Sequence, residues 1–327
     1  MKCADNIGVC VVGCGRAGLI HARNFAGGVQ GARLAALVDP VEESLRAASA
    51  ELKVRASYPD FRQAIEDRNV HAVVIVAPTA FHRDIALAAA AAGKHILCEK
   101  PMGMTAGECD DMIRAAERHR VKLQIGFMRR FDAGFLSAKQ RLDAGEIGDV
   151  VLVKSLTHGP SIPKPWMYDI RKSNGPLAEV NSHDIDTLRW FTGSEFAEVF
   201  AVAGNYRCPD AKKDFPDFYD NVVLTARFHN GMQGVISGAQ GVGYGYDARC
   251  EVLGQRGIIT AGAWPGPGMS KSWQALFADA YRAEDEDFIR CILEDRPPRV
   301  TGLDGKRAVE VVNAGNQSIC ERRPVTL

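Results

Sequence analysis

Ile7-Gly8-Val9-Cys10-Val11-Val12-Gly13-Cys14-Gly15-Arg16-Ala17-Gly18 is the stretch that decides the fold. Ile7 to Val12 is a short apolar run rich in β-branched residues, the composition of a strand buried on both faces of a parallel sheet. It runs straight into Gly13, Gly15 and Gly18 in the spacing GxGxxG, and Leu19 to Phe25 continues as a helix. A second apolar run, Leu34 to Val38, ends in Asp39, about 20 residues past the last glycine, the interval of a dinucleotide-binding unit. Gly13 permits the tight turn, Gly15 lets the backbone approach a pyrophosphate, and Gly18 lets helix and strand pack closely. Helix N–H groups, opened by Arg16 and Ala17, then face the phosphate charge. Asp39 would accept from both adenosine ribose hydroxyls and repel a 2′-phosphate, and Pro40 follows it instead of arginine, so the cofactor read from the residues is NAD.

The alternation continues. Helices over Phe61–Glu66, Phe81–Ala92 and Thr105–His119 separate strands over Ala72–Ala77, His95–Cys98 and Val121–Phe127, which makes an α/β doubly wound parallel sheet of Rossmann type. Gly93 is placed to stop the alanine-rich helix, and Thr105 with Glu108 forms a capping pair. Beyond Phe127 the pattern changes to strand-like runs at Val150–Ser155, Val199–Ala203, Val222–Phe228, Met232–Ser237, Ala248–Leu253 and Gly257–Ala261. Helices are expected at Asp132–Ala144, Asp184–Phe191, Ala278–Glu294 and Gly302–Ile319. The predicted domains are therefore 1–126, for the dinucleotide, and 127–327, for substrate binding and oligomerisation.

Of the 327 residues, 46% are hydrophobic and 24% charged, the balance of a globular chain with room for two cores. Lysine plus arginine equals aspartate plus glutamate at 40 each, without a long one-signed run, which argues against nucleic-acid or anionic-membrane partners and for a small molecule. No run of about 20 uncharged apolar residues is present, which excludes a membrane-spanning helix. The nine cysteines, such as Cys10, Cys98 and Cys320, lie in apolar segments without CxxC spacing and read as reduced core residues. Met1 to Asn6 has no leader pattern, and the expectation is a cytoplasmic protein.

Three further segments carry a resemblance. Pro78-Thr79-Ala80-Phe81-His82, Glu99-Lys100-Pro101 and His183-Asp184-Ile185-Asp186 are similar to the Gfo/Idh/MocA oxidoreductases. Within them the inositol dehydrogenases come nearest, through Met128-Arg129-Arg130-Phe131-Asp132, Tyr244-Gly245-Tyr246-Asp247 and Trp273-Gln274. The resemblance implies a second domain built on a large, mostly antiparallel open sheet, and a homodimer or homotetramer joined through those sheets. It also implies a cis Lys100–Pro101 peptide, a nicotinamide near Pro78, Thr79, His82, Glu99 and Lys100, and a substrate contact for Arg130.

Oxidising a secondary alcohol with a nicotinamide needs a base for the hydroxyl proton and a cation for the developing alkoxide. His183 is the candidate base, since an imidazole titrates near neutrality and a helix start opposes its protonation. Lys100, carried to the carboxyl edge of the parallel sheet, is the candidate cation. Glu179, where the family usually has aspartate, lies four residues before His183 and would share its helix face to orient the imidazole or bind a hydroxyl. Glu179, His183 and Asp186 as metal ligands is the weaker reading, because no further histidine or cysteine cluster completes a shell. Trp166, Tyr168, Asp169, Tyr246 and Trp273 are candidates for a polyol pocket, with sheet-packing aromatics as the competing reading. A helix-start histidine without catalytic work competes for His82. The Gly159–Gly175 stretch reads as a long loop and is least like the inositol enzymes, so the ring is left open between a cyclitol and a pyranose. The expected activity is NAD-dependent sugar or cyclitol dehydrogenation. The alternatives are a sugar 3-dehydrogenase acting on a glucoside or anhydrosugar, an NAD-dependent glycosidase, and a non-catalytic nucleotide sensor.

Overall fold

The computed structural model describes residues 6–262, 270 and 272–327; residues 1–5, on which the leader reading rests, lie outside them. The first unit holds β1 (Ile7–Val12), α1 (Arg16–Ala26), β2 (Ala32–Val38), α2 (Glu42–Leu52), β3 (Ser57–Tyr58), α3 (Phe61–Glu66), β4 (Ala72–Ile75), α4 (His82–Ala91), β5 (His95–Glu99), α5 (Ala106–His119) and β6 (Leu123–Gly126). Its six strands are all parallel, in the order β3-β2-β1-β4-β5-β6. That order reverses direction at β1, which puts the ligand crevice of such sheets at the β1 carboxyl end. All six residues of β1 are buried, as the unbroken apolar run predicts.

The second unit holds α6 (Ala133–Asp143), β7 (Val150–Gly159), α7 (Ile170–Ser173), α8 (Gly175–Glu179), α9 (Ser182–Thr192), β8 (Phe196–Gly204), β9 (Asn221–Phe228), β10 (Gln233–Gln240), β11 (Asp247–Gly254), β12 (Ile258–Ala261) and α10 (Trp273–Leu276). Its seven-stranded sheet runs β12-β11-β7-β10-β9-β8-β13, where β13 is Val325–Thr326, and only the β7–β10 pair is parallel. Burial alternates along β7, with Val153, Ser155 and Thr157 buried and the residues between them half-buried. A period of two with one face covered is the signature of an open antiparallel sheet.

A single boundary at 126/127 does not describe the chain. The first unit ends at Met128 and resumes at Ala278–Lys306, so α11 (Ala278–Leu293) and the opening turn of α12 (Gly302–Glu321) belong to it. The reason is apolar: Phe288, Ile289 and Ile292 of α11 share one buried cluster with Val9, Val11, Phe25 and Leu37. Cys320, read as a core residue, is exposed near the end of α12, whereas Cys10 and Cys98 are fully buried. No helix among the described residues is long and apolar enough to cross a membrane.

Candidate active site

In the first unit, sterics dictate the glycine loop. Gly13 has φ +104°, and a Cβ there would lie 2.6 Å from the Val76 carbonyl oxygen. Gly15, the N-cap of α1, would meet nothing within 4 Å, so its face of the loop is open to a ligand. No side chain caps α1 and no acid occupies its first turn, which leaves its N-terminal amides suited to a pyrophosphate. Asp39 closes the loop: Oδ2 accepts the Cys14 amide at 2.7 Å and Oδ1 accepts the Val41 amide at 2.8 Å. Burial, reinforced by the Asp39 carboxylate, pushes the Cys14 thiol up to about 12, so it stays a neutral wall of the loop.

The following strand ends are held by buried polar groups. Pro78 precedes a single turn over Thr79–Phe81, with Thr79 buried. His82 is 2% exposed and faces two carbonyls, Pro101 O at 2.9 Å from Nδ1 and Ala77 O at 2.7 Å from Nε2. Burial lowers the His82 pKa, so the neutral ring has one N–H to donate to one of these carbonyls and holds the end of β4 close to the turn after β5. Lys100–Pro101 is cis, as the resemblance implies, and Lys100 is half-buried. Glu99 points inward: Oε2 accepts the Lys100 amide at 3.0 Å and Oε1 faces His21 at 3.3 Å, so it orients its neighbours.

In the second unit, His183 is the second residue of α9 and 5% exposed. The next residue fixes it there. Asp184 is fully buried, with Oδ1 accepting from Arg129 Nη1 (2.7 Å) and Ser155 Oγ (2.6 Å), and Oδ2 accepting from Thr157 Oγ1 (2.7 Å) and Asn181 Nδ2 (2.8 Å). Four donors on one carboxylate bolt the start of α9 to β7, and a fully paired buried charge is the form such a group can take at low cost. Burial lowers Arg129, but the Asp184 charge outweighs it and holds the guanidinium above its ordinary value. Gly238 on β10 makes room, since a Cβ there would fall 2.0 Å from Asn181 Oδ1. Sequence reading passed over this network, although Ser155 and Thr157, two hydroxyls on the buried face of an apolar strand, were its visible signal.

Glu179 does not share one continuous helix with His183. It ends α8, and α9 starts afresh at Ser182 with Asn181 as N-cap, so the i, i+4 argument does not hold as stated. Arg130 makes a bidentate pair with Asp186 (2.8 and 2.6 Å) and lies over Trp190, which anchors it to α9. Asp169 caps α7 and pairs with Arg171 at 2.9 Å, and Tyr168 packs edge-on against Phe218 with ring centroids 4.8 Å apart. Trp166 is 40% exposed, in the turn over Pro165–Tyr168 that, with α7, gives the expected loop some helical structure. Tyr246 is half-buried, edge-on to Phe277, and its phenol is pushed up to about 12, chiefly by burial, so it keeps its proton and can donate at neutral pH. Trp273 is half-buried at the start of α10.

An open glycine loop closed by an acid in a sheet of this strand order defines a dinucleotide-binding fold. Residues 7–127 match the family described as "Oxidoreductase family, NAD-binding Rossmann fold", and residues 135–260 match the GFO/IDH/MocA C-terminal domain. The chain belongs to the Gfo/Idh/MocA oxidoreductases. It is similar to myo-inositol 2-dehydrogenase of Thermotoga maritima, 34% identical with 97% of each chain covered. Similar too is the NAD(+) scyllo-inositol 2-dehydrogenase of Bacillus subtilis, 32% identical over 97% of this chain and 95% of the relative. The crystal structure of scyllo-inositol dehydrogenase from Lactobacillus casei with NAD(H) and scyllo-inositol superposes with a TM-score of 0.89, at 27% identity, covering 98% of this chain and 99% of that one.

Proposed function

We propose that this enzyme oxidises a ring secondary alcohol of a cyclitol, with His183 as the base and Lys100 as the cation at the reacting oxygen. The observation that carries the reading is the immobilised start of α9, where the Asp184 network fixes the residue next to His183 from four sides. NAD, when bound by the glycine loop and Asp39, supplies the hydride acceptor. His183 takes the hydroxyl proton, Lys100 donates to the oxygen as charge develops, and Tyr246 donates to a neighbouring hydroxyl. The inositol relatives support the ring; a pyranose is the competing substrate. Absorbance of NADH across inositols, glucose, glycosides and anhydrosugars tests this. Turnover of an inositol is expected, glycoside cleavage without net NADH would replace the reading by a glycosidase, and silence despite NAD binding would leave a sensor.

The open sheet face supports self-association. Phe200, Val202, Val223 and Ile258 are exposed on it beside Leu152, Leu156 and Val235, a larger apolar surface than isolated side chains make. We infer that a second copy covers this face in a homodimer or homotetramer.

A further inference from the structure

Four ionisable side chains are enclosed in the first unit without a task in the chemistry above. His21 lies on α1, Glu99 ends β5, and Glu284 and Asp285 are neighbours on α11; none is more than 5% exposed. His21 Nδ1 is 2.7 Å from Asp285 Oδ1, and Nε2 is 3.3 Å from Glu99 Oε1. Asn24 donates to the other Asp285 oxygen at 2.8 Å. Glu284 differs from its neighbours. Its carboxylate lies with the ligating atoms of His21 and Glu99, all within 4.8 Å of one another, yet neither of its oxygens has a hydrogen-bond partner among the described residues.

The charge count around Glu284 decides its state. From α1 it faces His21, from β5 Glu99, and from its own helix Asp285 and Asp287, the last paired with Arg296 at 2.6 Å. From β6 comes only neutral Gln124, whose Nε2 donates to the Glu284 carbonyl at 3.2 Å. One imidazole therefore serves Glu99, Asp285 and Glu284. Burial lowers His21, but Asp285 and Glu99 outweigh it and keep the ring an imidazolium. A third enclosed carboxylate would have no cation, and holding a proton is the cheaper state. Burial first and the Glu99 charge second push Glu284 far above the ordinary carboxyl range.

We propose that Glu284 is a positioning residue, kept as a neutral carboxylic acid so that the His21 imidazolium remains with Glu99 and Asp285 and Glu99 stays seated on the Lys100 amide. An ionised Glu284 would compete for His21 and repel Glu99, moving the turn that carries Lys100. The effect on turnover rests on the role of Lys100 proposed above; the protonation state does not.

Infrared difference spectra of the whole protein, wild type against Glu284→Gln, test the state directly. At neutral pH the wild type should show a carboxylic-acid carbonyl band that the variant lacks. Glutamine copies the neutral acid without the tendency to ionise. Because the folded Glu284 titrates above its unfolded value of about 4.3, wild-type stability falls as pH rises from there towards the folded value, and the variant escapes that loss. The gap in Tm should therefore widen in the variant's favour with pH. An alkaline limb of kcat that disappears in Glu284→Gln, with KM for NAD unchanged, is the expected sign of positioning; superimposable profiles would overturn that role. No acid band, a variant that cannot fold, or a divalent metal that copurifies stoichiometrically with wild type and is lost in the variant would overturn the proposal. Band and melts as expected in a protein inactive on every polyol would instead overturn the proposed function alone.

Discussion

The roles proposed for His183 and Asp39 differ in kind, and substitutions separate them. Removing a general base typically costs about 10²–10⁴ in rate, so His183→Ala should lose nearly all NADH formation while calorimetry still finds NAD bound. Normal turnover in that variant would take His183 out of the mechanism. Asp39 accepts two backbone amides at the end of β2 as well as being the candidate ribose acceptor. Asp39→Ala should cost about 1–3 kcal/mol of stability through those amides and raise KM for NAD more than KM for NADP, read from melts and the ratio of kcat/KM. These two residues stood out in the sequence because each sits in a motif whose spacing has a mechanical meaning. The ion pairs of Arg130 with Asp186 and of Asp169 with Arg171 were not legible, because a charged residue in the sequence does not name its partner.

At the scale of elements, the α9–β7 joint is the costly one to break. Asp184→Ala strands the buried Arg129 guanidinium, a change of about 3–5 kcal/mol, whereas Asp184→Asn keeps part of the hydrogen bonding; urea melts of the pair should rank them in that order. The β5–β6 edge has a pH limit of its own. His95 Nδ1 accepts the Lys122 amide at 3.0 Å, and burial, with Lys122 adding to it, lowers His95 to about 4. The unfolded imidazole binds a proton below about 6.5, so the unfolded state gains protons first as pH falls. Stability should drop between roughly pH 6.5 and 4, and His95→Gln should flatten that part of a melting-temperature profile. An unbroken apolar run marked β1, a strand-like run the start of β7, and the Thr105 cap α5. Sequence pattern missed α2, whose N-cap is Val41, a residue without capping chemistry, and the break between α8 and α9, where Asn181 is the N-cap of α9 and its side chain bonds Asp184.

For the molecule as a whole, the open sheet predicts its own disruption. Val223→Asp would set a charge in the middle of the exposed face, and light scattering should report a smaller species than wild type, with the monomer's circular dichroism unchanged. An unaltered mass would place the interface elsewhere. The doubly wound parallel sheet could be anticipated from the alternation of strand and helix signals, and the antiparallel sheet from the family resemblance, but the return of Ala278–Lys306 to the first unit could not, since an amphipathic helix does not announce which core it completes. That return also constrains synthesis. A nascent chain that has released only residues 6–128 from the ribosome still lacks Phe288, Ile289 and Ile292, and must keep Val9 and Phe25 from sticking to other chains until the intervening unit has emerged. Expressed alone, that fragment should bind a hydrophobic dye and require chaperone capture, and supplying the 278–306 segment in trans should relieve both.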